Sequence, residues 1–392
     1  MAFTTHSPDP ATSLQTGRWF KLICGASYQH IPAIRQLTIA YSLAGADCID
    51  IAADPAIITA TQAAIAAAQI LIPEAIAQGF QPNPQPWLMV SLNDGEDPHF
   101  RKAEFDPDRC PADCPQPCVN ICPAEAIRFE STQSGVVDAL CYGCGRCLTI
   151  CPIAQITARN YVYTPEVIAP MVIAAGIDAI EIHTQIGRLA DFKRLWQAIQ
   201  PKAHQLKLLA ISCPDGEGLE AYLRSLNELI QPLPCALLWQ TDGRPMSGDI
   251  GDGATRACLK LGEKVLGFKL PGKVQLAGGT NASTVSKAQA IGLTQQPQFA
   301  GIAYGSYART QLQSLLPELT NPNTTLSSTK SISSANLGTD CRPAIAAAED
   351  HEVFCSNPDQ FWQSVTIAAQ LVRQIKFQNS TTGIQPLDIE SS

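Results

Sequence analysis

Eight of the chain's 15 cysteines lie between Cys110 and Cys151. Thiolates are soft ligands, and so dense a group predicts metal chemistry. Their other common use, a disulfide scaffold, belongs to small secreted chains. The chain has 392 residues, and its start, MAFTTHSPDP, lacks the basic-then-apolar pattern of a leader. A cytoplasmic, reducing setting is expected, where clustered cysteines bind metal. Their spacing is regular. The second half reads Cys141-x2-Cys144-x2-Cys147-x3-Cys151-Pro152. The first half reads Cys110-x3-Cys114-x3-Cys118-x3-Cys122-Pro123. Both halves close on C-x3-C-P.

The second half is the run found in bacterial ferredoxins. A cubane iron–sulfur group takes four thiolates. Three closely spaced cysteines in a curling loop wrap one side of a cube. The fourth cannot reach that cube, and in two-cluster ferredoxins it ligates the other one. Carried over, Cys122, Cys141, Cys144 and Cys147 hold one [4Fe–4S] cluster, and Cys110, Cys114, Cys118 and Cys151 hold a second. Three-residue gaps in the first half, where two are usual, depart from the pattern. Gly143 and Gly145 relieve backbone crowding, and Pro123 and Pro152 redirect the chain after the crossing ligand. Structural zinc more often uses two C-x2-C pairs with histidine. Two [4Fe–4S] clusters are therefore expected.

These loops need a frame to carry them. Around the cysteines, apolar strands alternate with helical stretches. The strands read 20–24, 48–53, 87–92, 179–184, 206–212, 235–240, 273–278 and 299–304. Such near-continuous apolar runs suit strands covered on both faces of a parallel sheet. Helices follow near 31–43, 55–71, 189–199, 218–230, 255–266, 282–291 and 306–316, and another opens at Thr164-Pro165. Eight strand–helix units predict a (β/α)8 TIM-like barrel, with an open doubly wound sheet as the alternative. The expected division is a discontinuous barrel domain over 18–96 and 162–318, with a bicluster ferredoxin-like insert over 97–161. A linker over 319–340 and a helical segment over 341–378 follow. The insert then occupies the third βα loop, on the face where barrel active sites lie. Residues 1–16 and 379–392 read as loose tails.

Other polar features are sparser. Gly278, Gly279 and Gly305 follow the seventh and eighth strands, where barrels often bind phosphate. A flavin or phosphate ligand there is one reading, and plain turns into helices the other. Asp50, Glu181, His183 and Asp242 lie in strands, and Glu181 and His183 share a face. They line a pocket if that face is inward; buried ion pairing or strand-end solvation is the favoured reading. Cys24, Cys48, Cys213, Cys235 and Cys258 read as core packing. Cys341 and Cys355 lie in the tail, without a strongly basic neighbourhood to activate them. No nucleophile–base motif, P-loop or dinucleotide fingerprint is present. The net charge of −8 argues against nucleic acid as a partner. No apolar run reaches the roughly 20 residues of an integral membrane segment.

Several pieces together resemble the cyanobacterial light-dependent period (LdpA) family: FKLICGASYQHIP, AGADCIDIAADP, CVNICP, CYGCGRCLTICP and LAGGTNAST. The resemblance runs from about Arg18 to Leu316. It implies an iron–sulfur protein that feeds redox state, and so light intensity, into the circadian clock, with clock or signalling proteins as partners. The family's ligand cysteines map onto the eight named above, and no catalytic residue carries over. Two classes follow. One is a redox sensor, more an interaction protein than an enzyme. The other is a barrel oxidoreductase in which the clusters pass electrons to a flavin or substrate.

Overall fold

The computed structural model describes residues 7–25, 30–95, 101–122, 125–130, 133–138, 140–141, 143, 145–160, 164–243, 255–315 and 358–376. Pro123, Cys144, the linker over 319–340, Cys341 and Cys355 lie outside the described residues. In chain order the first strands are β1 (Trp19–Gly25), β2 (Cys48–Ala52) and β3 (Trp87–Asn93). Four short strands follow: β4 (Arg101–Glu104), β5 (Ile127–Glu130), β6 (Gln133–Val136) and β7 (Thr157–Asn160). The rest are β8 (Ala179–His183), β9 (Leu208–Cys213), β10 (Ala236–Asp242), β11 (Lys273–Ala277) and β12 (Phe299–Tyr304).

β1, β2, β3 and β8 to β12 close into a parallel barrel. The open-sheet alternative is overturned because β1 pairs with both β2 and β12, leaving no edge. Alternation divides each strand between two layers. Phe20, Leu22, Ile49, Ile51, Ile180, Ile182, Leu209 and Ile211 face the helices in the main core. Trp19, Cys48, Trp87, Met89, Ala179, Leu208, Leu238 and Ala300 fill the lower barrel. There Trp19 and Trp87 meet edge to face, with ring centroids 5.5 Å apart.

The helices around the barrel begin with α1 (Pro10–Gln15), α2 (Ile31–Leu43) and α3 (Pro55–Ala77). Two short ones, α4 (Pro117–Asn120) and α5 (Arg146–Ile150), belong to the cysteine segment. Then come α6 (Pro165–Ala174), α7 (Leu189–Ile199), α8 (Leu219–Leu229) and α9 (Thr255–Gly267). α10 (Thr284–Ala290), α11 (Ser306–Leu312) and α12 (Pro358–Lys376) complete the set. In α7, Phe192, Leu195, Trp196 and Ile199 recur at helical spacing and are buried. α12 lays Phe361, Val365, Ala368, Leu371, Val372 and Ile375 into the main core.

Three expectations are corrected. Residues 10–15 are helical, not a loose tail: Asp9 caps α1 and Leu14 is buried under the barrel. Lys376 of α12 ties that end together by reaching Asp47 Oδ1 at 2.5 Å and Ser13 Oγ at 2.8 Å. α3 does not stop at Leu71 but continues past Pro73 to Ala77. The expectation that nothing matches a membrane span in length also fails. α3 has 23 residues and a mean hydropathy of 1.6 in its most apolar window. Thr59, Gln62 and Gln69 break it as a run, yet Ala and Ile raise the helix as a whole. In the structure it packs Ala56, Ile57, Ala60, Ala64 and Ala68 into the protein core.

Closure rests on a close approach. A Cβ added at Gly301 of β12 would land on the backbone carbonyl of Trp19 in β1. Gly301→Ala should therefore cost about 2–3 kcal/mol through overpacking at the seam. Gly267→Ala, where a Cβ meets nothing within 4 Å, should be neutral or gain about 0.4–1 kcal/mol. Urea midpoints of the two variants check this.

Candidate metal centre

The segment between β3 and α6 is built from two similar halves. β4 pairs antiparallel with β7, and β5 with β6. Each half runs through a left-handed residue, a short helix, a Cys-Pro step and a second left-handed residue. In the first half these are Gln116 (φ 50°), α4, Cys122 and Glu125 (φ 47°). In the second they are Gly145 (φ 77°), α5, Cys151 and Ala154 (φ 51°). Three non-glycine residues held left-handed carry backbone strain, and such strain gathers at binding loops. Here the turns bring amides round onto sulfur.

The sulfurs collect hydrogen bonds. Ala103 N donates to Cys141 Sγ at 3.4 Å, Ala126 N to Cys122 Sγ at 3.3 Å, and Gln155 Nε2 to Cys110 Sγ at 3.2 Å. Burial pushes the Cys151 thiol up, but the amides of Gln155, Ile153, Ile156 and Ala154 outweigh it and hold the thiol below its ordinary range. Burial raises Cys118 and Cys141, opposed in each case by backbone amides. Cys118, Cys141 and Cys147 are buried in a small core with Ala103, Ala126, Ile127 and Ile156.

The thiols also sort into neighbourhoods. Cys110 is raised chiefly by burial and further by Cys114 and Cys151, and Cys118 feels Cys110 and Cys151. Cys141 instead feels Cys122. Cys147 lies in the first turn of α5, and Cys144 lies outside the described residues. Among the described residues no three Cys, His, Asp or Glu side chains stand close enough to hold one metal ion. The donor set therefore fits iron–sulfur groups: sulfur ligands, few competing oxygens and amides aimed at sulfur.

Two cations join this segment to the ends of the barrel strands. Lys102 of β4 is buried and bonds the Asp138 carbonyl. It lies 3.6 Å from Asp54 Oδ2, whose other oxygen caps α3 by accepting from Ala56 N at 2.8 Å. Arg146, beside Cys147, approaches His30 Nε2 at 3.5 Å. Burial, and then Arg146, push the His30 imidazole down to about 4. Sequence reading missed Lys102 and Arg146, since neither carries a motif.

The glycines directly follow the neighbouring strands β11 and β12. Gly278 and Gly279 are left-handed (φ 67° and 93°), and Gly305 precedes α11. Thr280 Oγ1 donates to the Ala303 carbonyl at 2.7 Å, and Arg309 to the Ile23 carbonyl at 2.9 Å. The first ties the glycine turn to β12, and the second ties α11 to β1.

Asp50, Glu181, His183 and Asp242 all face the barrel interior, around a residue the sequence reading did not single out, Lys21. Its ammonium bonds Glu181 and lies 3.2 Å from Asp50 Oδ2, all three buried. Burial opposes the charge, but Asp50 and Glu181 outweigh it and raise Lys21 above its ordinary range. Gln240 Nε2 bonds Glu181 at 2.5 Å, Gln275 Nε2 bonds Gln240 at 2.5 Å, and Trp19 Nε1 bonds Gln275 at 2.6 Å. His183 Nε2 lies 3.3 Å from Glu181 Oε1. The buried ion-pairing reading describes Asp50 and Glu181. A lysine inside an apolar strand was the available signal for Lys21.

Among the described residues no cation forms an ion pair with Asp242. Burial pushes it from 3.8 up to about 6, with His183 pulling the other way. A raised carboxyl favours the fold while protonated, and that contribution is lost as pH rises from about 4 to about 6. Asp242→Asn removes the titration. Its stability relative to wild type should therefore increase across that window and level off above it, as read from urea midpoints at a series of pH values. A flat difference would contradict the burial argument.

Comparisons with known proteins agree with this geometry. Residues 110–162 match the LdpA Fe-S cluster-binding domain. Residues 171–374 match the Light dependent period A C-terminal domain. The protein "Light dependent period A" of Synechococcus elongatus is 50% identical over 313 residues, covering 79% of this chain and 85% of that protein. Among solved structures, a Mycobacterium tuberculosis tryptophan synthase covers 79% of this chain and 91% of its own at 15% identity, with a TM-score of 0.36. Another, in an open form, covers 94% and 97% at 13% identity, with a TM-score of 0.39. Likeness that slight carries no argument. The sulfur-lined insert and the relative of half-identical sequence point one way: the chain is an iron–sulfur protein and belongs to the light dependent period A family.

Proposed function

We propose that the chain is a redox sensor built on two [4Fe–4S] clusters. One is held by Cys122, Cys141, Cys144 and Cys147, and the other by Cys110, Cys114, Cys118 and Cys151. The observation that carries this reading is the sorting of thiols into two neighbourhoods, with Cys151 beside Cys110 and Cys118 and Cys122 beside Cys141. That is the crossed arrangement of the two-cluster pattern. Each cluster, when bound, supplies a one-electron change of charge. The chain supplies buried sulfur ligands, amide donors and a rigid mount. The family resemblance makes circadian clock or signalling proteins the partners, and the cytoplasm the setting. An anaerobic preparation should contain about eight irons per chain, four per cluster, with matching sulfide. Stoichiometric zinc without iron would overturn the assignment.

The insert over 97–161 and the barrel are separate units of stability in this reading, since the insert's small core is supported by metal ligation. Cys144→Ser should lose iron and open the insert to limited proteolysis while the barrel keeps most of its far-ultraviolet circular dichroism. The double variant Cys341→Ser/Cys355→Ser should keep iron and the redox-dependent proteolysis pattern. If the tail variant loses that response and Cys144→Ser retains it, sensing does not reside in the clusters.

The second reading is an oxidoreductase with a flavin or phosphate ligand at Gly278, Gly279 and Gly305. It is favoured by a left-handed glycine pair and Gly305 directly following two adjacent strands. Flavin absorbance remaining after removal of the clusters would bring it forward.

A further inference from the structure

The two thiol neighbourhoods are not equivalent with respect to the barrel. Cys141 is buried, and its sulfur accepts from Ala103 N, the residue next to Lys102. The Lys102 ammonium favours the thiolate at Cys141. Of the other set, Cys118 is buried, while Cys110, Cys114 and Cys151 are partly exposed, and Ile150 and Ile153 on either side of Cys151 are exposed. One neighbourhood thus meets the barrel through a buried cation, and the other has three of its four thiols partly exposed.

Lys102 is an unusual cation for that place. It and Asp54 are both nearly fully buried and belong to different parts of the fold. Burying such a pair costs desolvation energy that the pair itself repays only in part, so it is a poor device for stability alone. Asp54 stands at the end of β2 and caps α3. A charge change at Cys141 therefore meets Lys102 first, and Lys102 meets the cap of a barrel helix.

We propose that Lys102 is a positioning residue that couples the charge of the inner cluster, held by Cys122, Cys141, Cys144 and Cys147, to Asp54 and the first turn of α3. The inference rests on the two-cluster reading. One electron supplied by a low-potential one-electron donor, here dithionite, makes the inner site one unit more negative. Lys102 is then drawn toward Cys141 and away from Asp54, loosening the cap. Among the described residues no buried cation stands beside Cys110, Cys118 or Cys151, so the outer cluster does not engage the barrel in this way.

The signs of two substitutions test this. Potentials of iron–sulfur groups follow local charge and hydrogen bonding. Lys102→Met keeps the apolar stem and removes the cation, so one of the two midpoints should move negative. Asp54→Asn keeps a capping side chain and removes the anion opposing Lys102, so the same midpoint should move positive. The other midpoint should stay at its wild-type value in both. The measurement is a dithionite titration of the full chain followed by EPR. In wild type, reduction should also speed hydrogen exchange at Ala56 and Ile57, and Lys102→Met should abolish that response. A packing role for Lys102 predicts no shifts of opposite sign. Unchanged midpoints in both variants, with eight irons still bound, overturn the coupling and leave the two-cluster reading intact. A wild-type chain without iron overturns both. If Lys102→Met does not fold, Asp54→Asn decides alone: a positive shift of one midpoint supports the coupling and none overturns it.

Discussion

A parallel sheet of eight strands can close only if its first and last strands come within hydrogen-bonding reach along their length. Here that meeting is Trp19 to Leu22 against Gly301 to Tyr304. Gly301 has no side chain to hold the strands apart, and Trp19 fills the barrel floor beside Trp87. Closure then aligns the inward residues of all strands. It is what brings Lys21 of β1 to Glu181 of β8, and Trp19 to Gln275 of β11. It also gathers the strand ends on which the cysteine segment sits.

The barrel interior is layered by polarity. Its floor is apolar, and above it lies a network from Trp19 through Gln275, Gln240 and Glu181 to Lys21, Asp50 and Ser91. Such a network is tolerable only when its members are satisfied. The carboxylates flank one ammonium, and the glutamines relay hydrogen bonds between strands. Asp242 and His183 lie above this layer, near the open end, where the charge balance is looser.

What the sequence made legible follows from how local each signal is. The strands show as apolar runs because both faces are buried, and the observed strands depart from them by a residue or two at the ends. The repeated Cys-Pro endings show because ligands to a cluster must lie close along the chain. The left-handed residues at Gln116, Glu125 and Ala154 did not show, since none is glycine. Asp54 shows in the sequence as the cap before Pro55, but its pairing with Lys102 does not, because the two lie on different elements and only the fold joins them. The end of α3 was misplaced because Pro73 suggests a stop, while the helix reaches Ala77 before the chain turns at Gly79. α1 looked like a tail because six residues are too few for a periodic pattern, and its order comes from Leu14 and Ser13 docking below the barrel.

The strands that begin and end the cysteine segment, β4 and β7, pair with one another. Their backbones therefore lie side by side, about 4.8 Å apart, whatever happens farther out. To the barrel the whole segment presents two adjacent attachment points, as a short loop would. The scaffold is spared the closure entropy of a long excursion, which grows with loop length. A segment mounted in this way is a graft: its halves can change in length, ligand spacing or outer surface while the host strands keep their register. The three-residue cysteine gaps of the first half are variation of the kind such a mounting tolerates.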